Sequence, residues 1–132
     1  MDIVVDTSVI VAVIVNEPLK EALVRLTTGA DLVAPHSVHW EIGNALSAML
    51  KRGRITVSQA MQAVHAYQRI PIRFVDVELE ETLRIADAQG IYAYDAYLIR
   101  CATKYGAPLL SLDRGLVAAA KDTGTRVLEV TI

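Results

Sequence analysis

Four acidic residues lie at positions in the sequence from which their side chains could act together on a substrate. Asp6 and Asp113 each follow a short, mainly apolar segment, Glu41 lies one turn into a predicted helix, and Asp95 lies at the start of another. Carboxylates gathered in one crevice repel one another, so some of them take up protons unless a cation is bound. Sites built only from oxygen ligands favour Mg²⁺ or Mn²⁺ over zinc or copper. The four acids therefore predict a site for one of these ions.

A divalent ion held in this way would define the chemistry of the site. It would bind phosphate oxygens, lower the pKa of a water molecule and allow the resulting hydroxide to attack phosphorus in line. Asn44 lies three residues after Glu41 and shares a helix face with it. We expect Asn44 to orient Glu41 or to contact the substrate; the alternative is an ordinary solvent-facing residue.

The elements that must position these acids alternate along the chain. Short, mainly apolar segments predict five strands, at residues 2–5, 32–34, 72–75, 109–112 and 127–130. Apolar residues at three- and four-residue steps predict helices from within 6–8 to 15 and at 18–27, 37–52, 58–69, 78–89, 95–105 and 114–123. This alternation indicates an α/β fold, a parallel sheet covered on both faces in a three-layer α/β/α arrangement.

A parallel sheet of this kind brings functional groups together beyond the carboxyl ends of its strands, at the point where the strand order reverses. Asp6 follows strand one and Asp113 follows strand four. If those two strands are neighbours, both carboxylates enter the same crevice. The residues alone do not determine that adjacency.

Length and composition limit the classes of protein to which the chain can belong. Its 132 residues, 53% of them hydrophobic and 21% charged, suit one domain over 1–132 and argue against disorder. No apolar run approaches the roughly 20 residues of a membrane span, no signal peptide is visible, and Cys101 is the single cysteine. We therefore expect a cytoplasmic protein. A net charge of −2 mildly opposes binding to nucleic acid through phosphate contacts alone, but bound cations would supply positive charge locally.

The ordered set of these motifs resembles the PIN-domain nucleases, and within them the VapC-type toxins of toxin–antitoxin systems. The resemblance extends from Asp2 to about Leu128. It depends on Asp6-Thr7-Ser8 after the first strand, Glu41-x-x-Asn44 on a helix, Tyr94-Asp95-Ala96 at a helix start, and Ser111-Leu112-Asp113-Arg114 after a strand. A single one of these motifs is common, whereas the complete set in this order is fairly specific.

The resemblance implies a sheet of five parallel strands in the order 3-2-1-4-5. It implies that the four acids coordinate Mg²⁺ or Mn²⁺ and direct endonucleolytic cleavage of RNA by an activated water. A hydroxyl after the first acid, Thr7 or Ser8, and Ser111 before the last acid would support the site. Members of the family commonly form homodimers and are silenced by an antitoxin, a segment of which lies across the active site.

Each acid also has a purely structural interpretation. Asp6, Asp95 and Asp113 lie at predicted helix starts, where aspartate is favoured as a cap. Capping and metal binding can coexist at one residue. Taken singly, Glu41 would be an ordinary surface residue, so the prediction of a site depends on all four acids together. The alternative function is a non-catalytic module of the same fold that binds RNA or a protein.

Basic and aromatic residues offer further candidates for substrate contact. Arg114, beside Asp113, is well placed to meet a phosphate. The basic group at the end of the third helix could either contact RNA phosphates or be a solvated helix end. This group comprises Lys51, Arg52 and Arg54. Three tyrosines could stack on bases, but packing or dimer contact is at least as good an explanation. They are Tyr92, Tyr94 and Tyr97.

Overall fold

Short apolar segments form the centre of the structure, a computed structural model that describes residues 1–130. The strands are β1 (Asp2–Val5), β2 (Asp31–Pro35), β3 (Ile72–Val75) and β4 (Leu109–Leu110). All are parallel, in the order β3-β2-β1-β4. In β1, Ile3, Val4 and Val5 are almost completely buried. A central strand covered on both faces explains why these three successive residues are all apolar rather than alternately apolar and polar.

Within residues 1–130, seven helices connect and cover these strands. They are α1 (Thr7–Ile14), α2 (Lys20–Thr27), α3 (Ser37–Lys51), α4 (Val57–Gln68), α5 (Leu79–Gln89), α6 (Ala93–Tyr105) and α7 (Arg114–Asp122). Helix α1 packs on α2, α3 and α4, whereas α6 packs on α5 and against β1, β2 and β4. The chain moves from β1 to β3 in one direction and then returns past β1 to β4. Because crossovers between parallel strands are right-handed, this reversal puts the later helices on the opposite face. The expected three-layer arrangement is confirmed.

The reversal of strand order lies between β1 and β4, which are neighbours as the site requires. Val4 pairs with Leu109 and Val5 pairs with Leu110. The backbone N–H of Asp6 also donates to the carbonyl of Leu110, with a distance of 3.3 Å between N and O. The crevice beyond this pair therefore receives the residues that follow both strands.

The predicted fifth strand at 127–130 is wrong. The sheet of the described residues has four strands, and this segment forms only an isolated parallel bridge between Leu109 and Val127. Strand β4 is two residues long, and successive residues direct their backbone groups to opposite sides. Leu109 bonds to the outer segment while Leu110 bonds towards β1, so β4 offers a single outward-facing residue. The expected order 3-2-1-4-5 is accordingly replaced by 3-2-1-4.

Three element boundaries differ by two residues from those predicted. Helix α2 begins at Lys20 rather than residue 18, because residues 18 and 19 form a turn. Strand β4 ends at Leu110 rather than residue 112. Helix α6 begins at Ala93, so Asp95 lies inside the first turn, and Tyr92 is the N-terminal cap residue. Asp95 is therefore not a capping residue.

The structure also bears on three expectations, which concern membrane spans, the single cysteine and the extent of the domain. Within residues 1–130, no helix combines the length and the apolar character needed to cross a membrane. Cys101 is buried, as expected of a small core residue, and burial raises the pKa of its thiol to about 12. The expected domain 1–132 includes residues 131 and 132, which lie outside the described part of the chain.

Candidate active site

Asp6 is the most firmly held of the four acids. It follows β1, is only 4% exposed, and caps α1 by accepting from the backbone N–H of Val9. The Ser8 hydroxyl donates to Oδ1 at 2.6 Å, and the Ser111 hydroxyl donates to Oδ2 at 2.7 Å. Burial raises the pKa of Asp6, whereas these hydrogen bonds oppose the rise. Asp6 is thus both a helix cap and a fixed carboxylate in the crevice.

The two serine hydroxyls also join the two strand ends to each other. Ser8 Oγ accepts from the backbone N–H of Leu112 at 3.0 Å, and Ser111 Oγ accepts from that of Asp113 at 2.9 Å. Each hydroxyl therefore donates to Asp6 and accepts from the segment that follows β4. The network holds the loop before α7 against the end of β1, which places Asp113 beside Asp6.

Asp113 forms the outer part of this strand-end arrangement. It is exposed and caps α7, with Oδ1 accepting from the N–H groups of Gly115 at 2.9 Å and Leu116 at 3.2 Å. Its negative charge raises the pKa values of Asp6 and Asp95. Asp113 is therefore a helix cap that also lies close to the other acids.

Glu41 and Asp95 reach the same crevice from helices in opposite layers. Burial, followed by the charges of Asp6 and Asp95, raises the pKa of Glu41 to about 7. Burial also raises the pKa of Asp95, followed by the charges of Asp113 and Asp6. The acids affect one another electrostatically, so the fold brings all four predicted carboxylates into one region of negative charge.

Two buried oxygen atoms in this region lack hydrogen-bond partners among the described residues. They are Glu41 Oε1 and Thr7 Oγ1. The Thr7 hydroxyl lies near enough to Glu41 to oppose the rise in its pKa, but the two groups do not have hydrogen-bond geometry. Burying an unpaired polar atom costs about 1–3 kcal/mol, so these atoms are positioned for a partner that the chain itself does not provide. Asn44 is exposed and does not bond to Glu41 Oε1.

The donor set fits a hard divalent cation in its chemistry, since every candidate ligand is a carboxylate or hydroxyl oxygen. The side chains are too far apart to coordinate an ion as they stand. Within residues 1–130, no three His, Cys, Asp or Glu side chains lie close enough together to hold a metal ion. Mutual repulsion separates unneutralised carboxylates, and hydrogen bonds hold Asp6 and Asp113 in place. Binding a cation here requires the carboxylates to move closer together.

The predicted basic residues fall into two groups. Arg114 is exposed at the start of α7, directly after Asp113. The group Lys51, Arg52 and Arg54 is exposed near the far end of α3. Ten residues of helix separate Lys51 from Glu41, which corresponds to about 15 Å along the helix axis. Arg114 thus directly follows one of the acids, whereas the other three basic residues lie far from Glu41 along α3.

Sequence reasoning missed a cavity of about 350 Å³ beyond the carboxyl ends of β2 and β3, between α3 and α6. We call it the aromatic cavity; its principal side chains are His36, Ser37, Trp40, Asp76, Tyr94 and Tyr97. The sequence offered two signals: Tyr94 and Tyr97, which were considered for stacking on bases, and Trp40, which lies outside the apolar stripe of α3 and directly before Glu41. Tyr92, one of the three tyrosines considered for stacking, does not line the cavity.

Comparison with known proteins agrees with the fold. A family model described as PIN domain matches residues 3–122. The chain is 28% identical over 121 residues to Ribonuclease VapC3 of Pyrobaculum aerophilum, a match that covers 88% of this chain and 92% of that protein.

Solved structures of low sequence identity share the fold. PAE2754 from Pyrobaculum aerophilum has a TM-score of 0.74 at 23% identity, covering 98% of this chain and 92% of that one. VapBC2 from Rickettsia felis, bound to a DNA fragment from their promoter, has a TM-score of 0.66 at 14% identity, covering 98% of both chains. FitAcB from Neisseria gonorrhoeae has a TM-score of 0.65 at 18% identity, covering 96% of both.

Proposed function

The chain belongs to the PIN-domain family, and we propose that it is a metal-dependent endoribonuclease that hydrolyses RNA phosphodiester bonds. The observation that carries this proposal is the set of carboxylates whose pKa values are raised by burial and by one another. The catalytic and metal-binding residues in this proposal are Asp6, Glu41, Asp95 and Asp113. The similarity to a protein named as a ribonuclease supports RNA as the substrate.

The cofactor in this proposal is Mg²⁺ or Mn²⁺. When bound, the ion supplies positive charge to the phosphate and promotes ionisation of a water molecule. Asp6 provides a fixed carboxylate because Ser8 and Ser111 occupy one of its oxygens each. Glu41, with a pKa of about 7, must release its proton to join the ligand set. Asp95 and Asp113 complete the negative charge that attracts the cation.

The remaining polar residues have supporting roles in the proposal. Ser8 and Ser111 position Asp6, and Thr7, whose hydroxyl is unpaired, becomes a ligand or a partner of Glu41 once substrate and cation are present. Asn44, which is exposed, contacts substrate rather than Glu41 Oε1. Arg114 contacts a phosphate near the site. Lys51, Arg52 and Arg54 could meet only phosphates farther along an RNA strand.

We further infer that the protein is the toxin of a toxin–antitoxin pair. The similarity to VapC3 and the shared fold with VapBC2, whose structure was solved on DNA from their own promoter, support this role. The partners in this proposal are an RNA substrate, an antitoxin protein and a second copy of the chain in a homodimer. Such a protein would act in the cytoplasm.

Cleavage of a defined single-stranded RNA by the purified protein tests the enzymatic proposal. We expect cleavage with Mg²⁺ or Mn²⁺ and none with EDTA. Asp6→Asn should reduce the rate at least about 100-fold, because it removes a charge from the site while keeping the shape of the side chain. Asp87→Asn, at an exposed aspartate of α5, is the matched control and should cleave as wild type does.

Two results would count against the enzymatic proposal. Cleavage that persists in EDTA would remove the metal from the mechanism. Equal cleavage by Asp6→Asn and wild type would show that the Asp6 carboxylate has no role in catalysis. If the folded protein bound RNA without cleaving it under any of these conditions, the non-catalytic binding module would be favoured instead.

A further inference from the structure

The aromatic cavity adjoins the proposed catalytic site and shares its supporting helices. Ser37 lies one helical turn before Glu41, and Trp40 lies directly before it on α3. Tyr94 directly precedes Asp95 on α6. A helical turn rises about 5.4 Å, so a strand whose phosphate meets the acids can place a neighbouring base in the cavity. This position makes the cavity part of the route that a substrate would follow.

Two aromatic rings of the cavity are open to solvent although each is braced by neighbours. The side chain of Trp40 is 73% exposed and that of Tyr94 is 59% exposed. The His39 ring contacts Trp40 edge-on with 4.9 Å between centroids, and His39 Nδ1 lies 2.8 Å from the Tyr67 hydroxyl. Tyr94 has a similar edge contact with Tyr97 at 6.3 Å. Braced and uncovered rings provide flat apolar surfaces at little further cost in conformational entropy.

The polar groups at the edge of the cavity differ in their exposure and in their partners. Ser37 Oγ is buried and has no hydrogen-bond partner among the described residues. The exposed Asp76 carboxylate lies 3.1 Å from His36 Nε2. The backbone carbonyl of Asp76 is fixed by the Tyr105 hydroxyl at 2.9 Å and by Lys104 Nζ at 3.2 Å. The exposed Asp76 carboxylate is therefore available to a planar ligand at the rings, whereas Ser37 Oγ lies below the surface of the cavity.

We propose that the aromatic cavity binds one unpaired nucleobase, stacked on Trp40 and Tyr94, with its edge towards Asp76. This inference rests on the proposed function and narrows its substrate to RNA that is single-stranded at the site. Asp76 accepts hydrogen bonds from an amino group, so bases that carry one bind better than uracil does. Stacking on aromatic side chains is a usual way of holding unpaired bases.

The alternative occupant is a protein surface, for example that of a second copy of the chain. A mainly apolar contact over this cavity would remove the exposed Asp76 carboxylate from water, which is costly for a charged group. A nucleobase offers donors and acceptors at its edge together with two flat faces. The combination of open rings with polar groups at the rim therefore favours the base.

Tryptophan fluorescence tests this directly, because Trp40 is the only tryptophan in the chain. Neutral nucleosides are the probes, since they cannot be cleaved and are not repelled by the acids. With EDTA present, we expect guanosine and cytidine to quench Trp40 saturably, uridine to do so more weakly, and ribose 5-phosphate not at all. N-acetyltryptophanamide in the same solutions corrects for absorption and collisional quenching.

Substitutions distinguish the contribution of the cavity residues from that of neighbouring surface residues. Tyr94→Ala should weaken nucleoside binding at least about fivefold, which is the lower end of what one stacking partner contributes. Asp76→Asn should reduce the difference between cytidine and uridine. Tyr92→Ala is the matched control: it changes a tyrosine beside the same helix that is 89% exposed and outside the cavity, and binding should stay within about twofold of wild type.

The inference is overturned if ribose 5-phosphate quenches as strongly as guanosine, or if Tyr94→Ala and Tyr92→Ala bind alike. It is also overturned if Trp40 emission changes with protein concentration alone and Trp40→Ala dissociates a dimer in sedimentation, because the face is then a subunit contact. RNA cleavage by the same preparation is measured separately. Cleavage without nucleoside quenching removes only this inference, whereas quenching without cleavage removes the proposed enzymatic function.

Discussion

The two halves of the acidic site are built differently. Asp6 and Asp113, here called the strand-end pair, accept hydrogen bonds from hydroxyls or backbone N–H groups of the chain. Glu41 and Asp95, here called the helix pair, come from opposite layers, and Glu41 Oε1 has no partner within residues 1–130. The strand-end pair is therefore part of what holds the fold together. The helix pair destabilises the folded state until a cation or substrate pairs with it.

The largest effect that separates the halves should appear in stability without metal. Asp6→Ala removes the cap of α1 and leaves the Ser8 and Ser111 hydroxyls without their acceptor, so we expect a loss of about 2 kcal/mol. Asp95→Ala removes a repelled carboxylate and should change the free energy of unfolding by less than about 0.5 kcal/mol or stabilise the protein. Urea denaturation in EDTA measures both. Equal losses for the two variants would contradict the distinction.

A second effect should appear in the dependence of stability on pH. Between pH 4.5 and about 7 the folded state keeps a proton on Glu41 that the unfolded state has released. Stability of the metal-free protein should therefore fall as pH rises through this window. The group is only half-buried, so we expect solvent to limit the change to about 1–2 kcal/mol.

Replacing the carboxyl group isolates the contribution of Glu41. Glu41→Gln should flatten the decline, whereas Glu17→Gln, at an exposed glutamate outside the site, should keep the wild-type slope. Thermal or urea unfolding at pH 5, 6 and 7 in EDTA provides the comparison. A wild-type protein that became more stable across this range would show that Glu41 is not held in its protonated form.

The smallest effect concerns the hydroxyls that support the strand-end pair. Ser8→Ala removes a donor to Asp6 and an acceptor for the backbone N–H of Leu112, so we expect a loss of about 1 kcal/mol. Ser58→Ala, at an exposed serine of α4, should be within about 0.5 kcal/mol of wild type. If the two variants unfolded alike, the hydroxyl network would not contribute to stability.

Much of the fold followed from the sequence because it depends on local patterns. Apolar segments alternating with helical periodicity indicated the parallel sheet and its three layers, both of which are confirmed. The adjacency of strands one and four was left open by the residues and implied only by the family resemblance; the pairing of Val5 with Leu110 confirms it. The prediction of a fifth strand was wrong because β4 is too short to pair with it. The length of β4 depends on the folded structure, and the hydrophobicity of residues 127–130 does not reveal it.

The site shows the same division between local and long-range information. The cap positions of Asp6 and Asp113 were visible as acids before helices, whereas the cap expected at Asp95 was wrong because α6 begins two residues earlier. The catalytic roles of the acids stay predictions. The aromatic cavity could not be predicted, since Trp40, Asp76 and Tyr94 come from parts of the chain that only the folded sheet brings together.

The central claim is that both halves bind one and the same kind of cation, and calorimetric titration with Mn²⁺ tests it most directly. Wild type should bind Mn²⁺, and both Asp113→Asn from the strand-end pair and Asp95→Asn from the helix pair should weaken binding at least about 10-fold. Asp87→Asn should bind as wild type does. Unchanged Mn²⁺ affinity in either site variant would contradict the claim that the four acids form a single metal site.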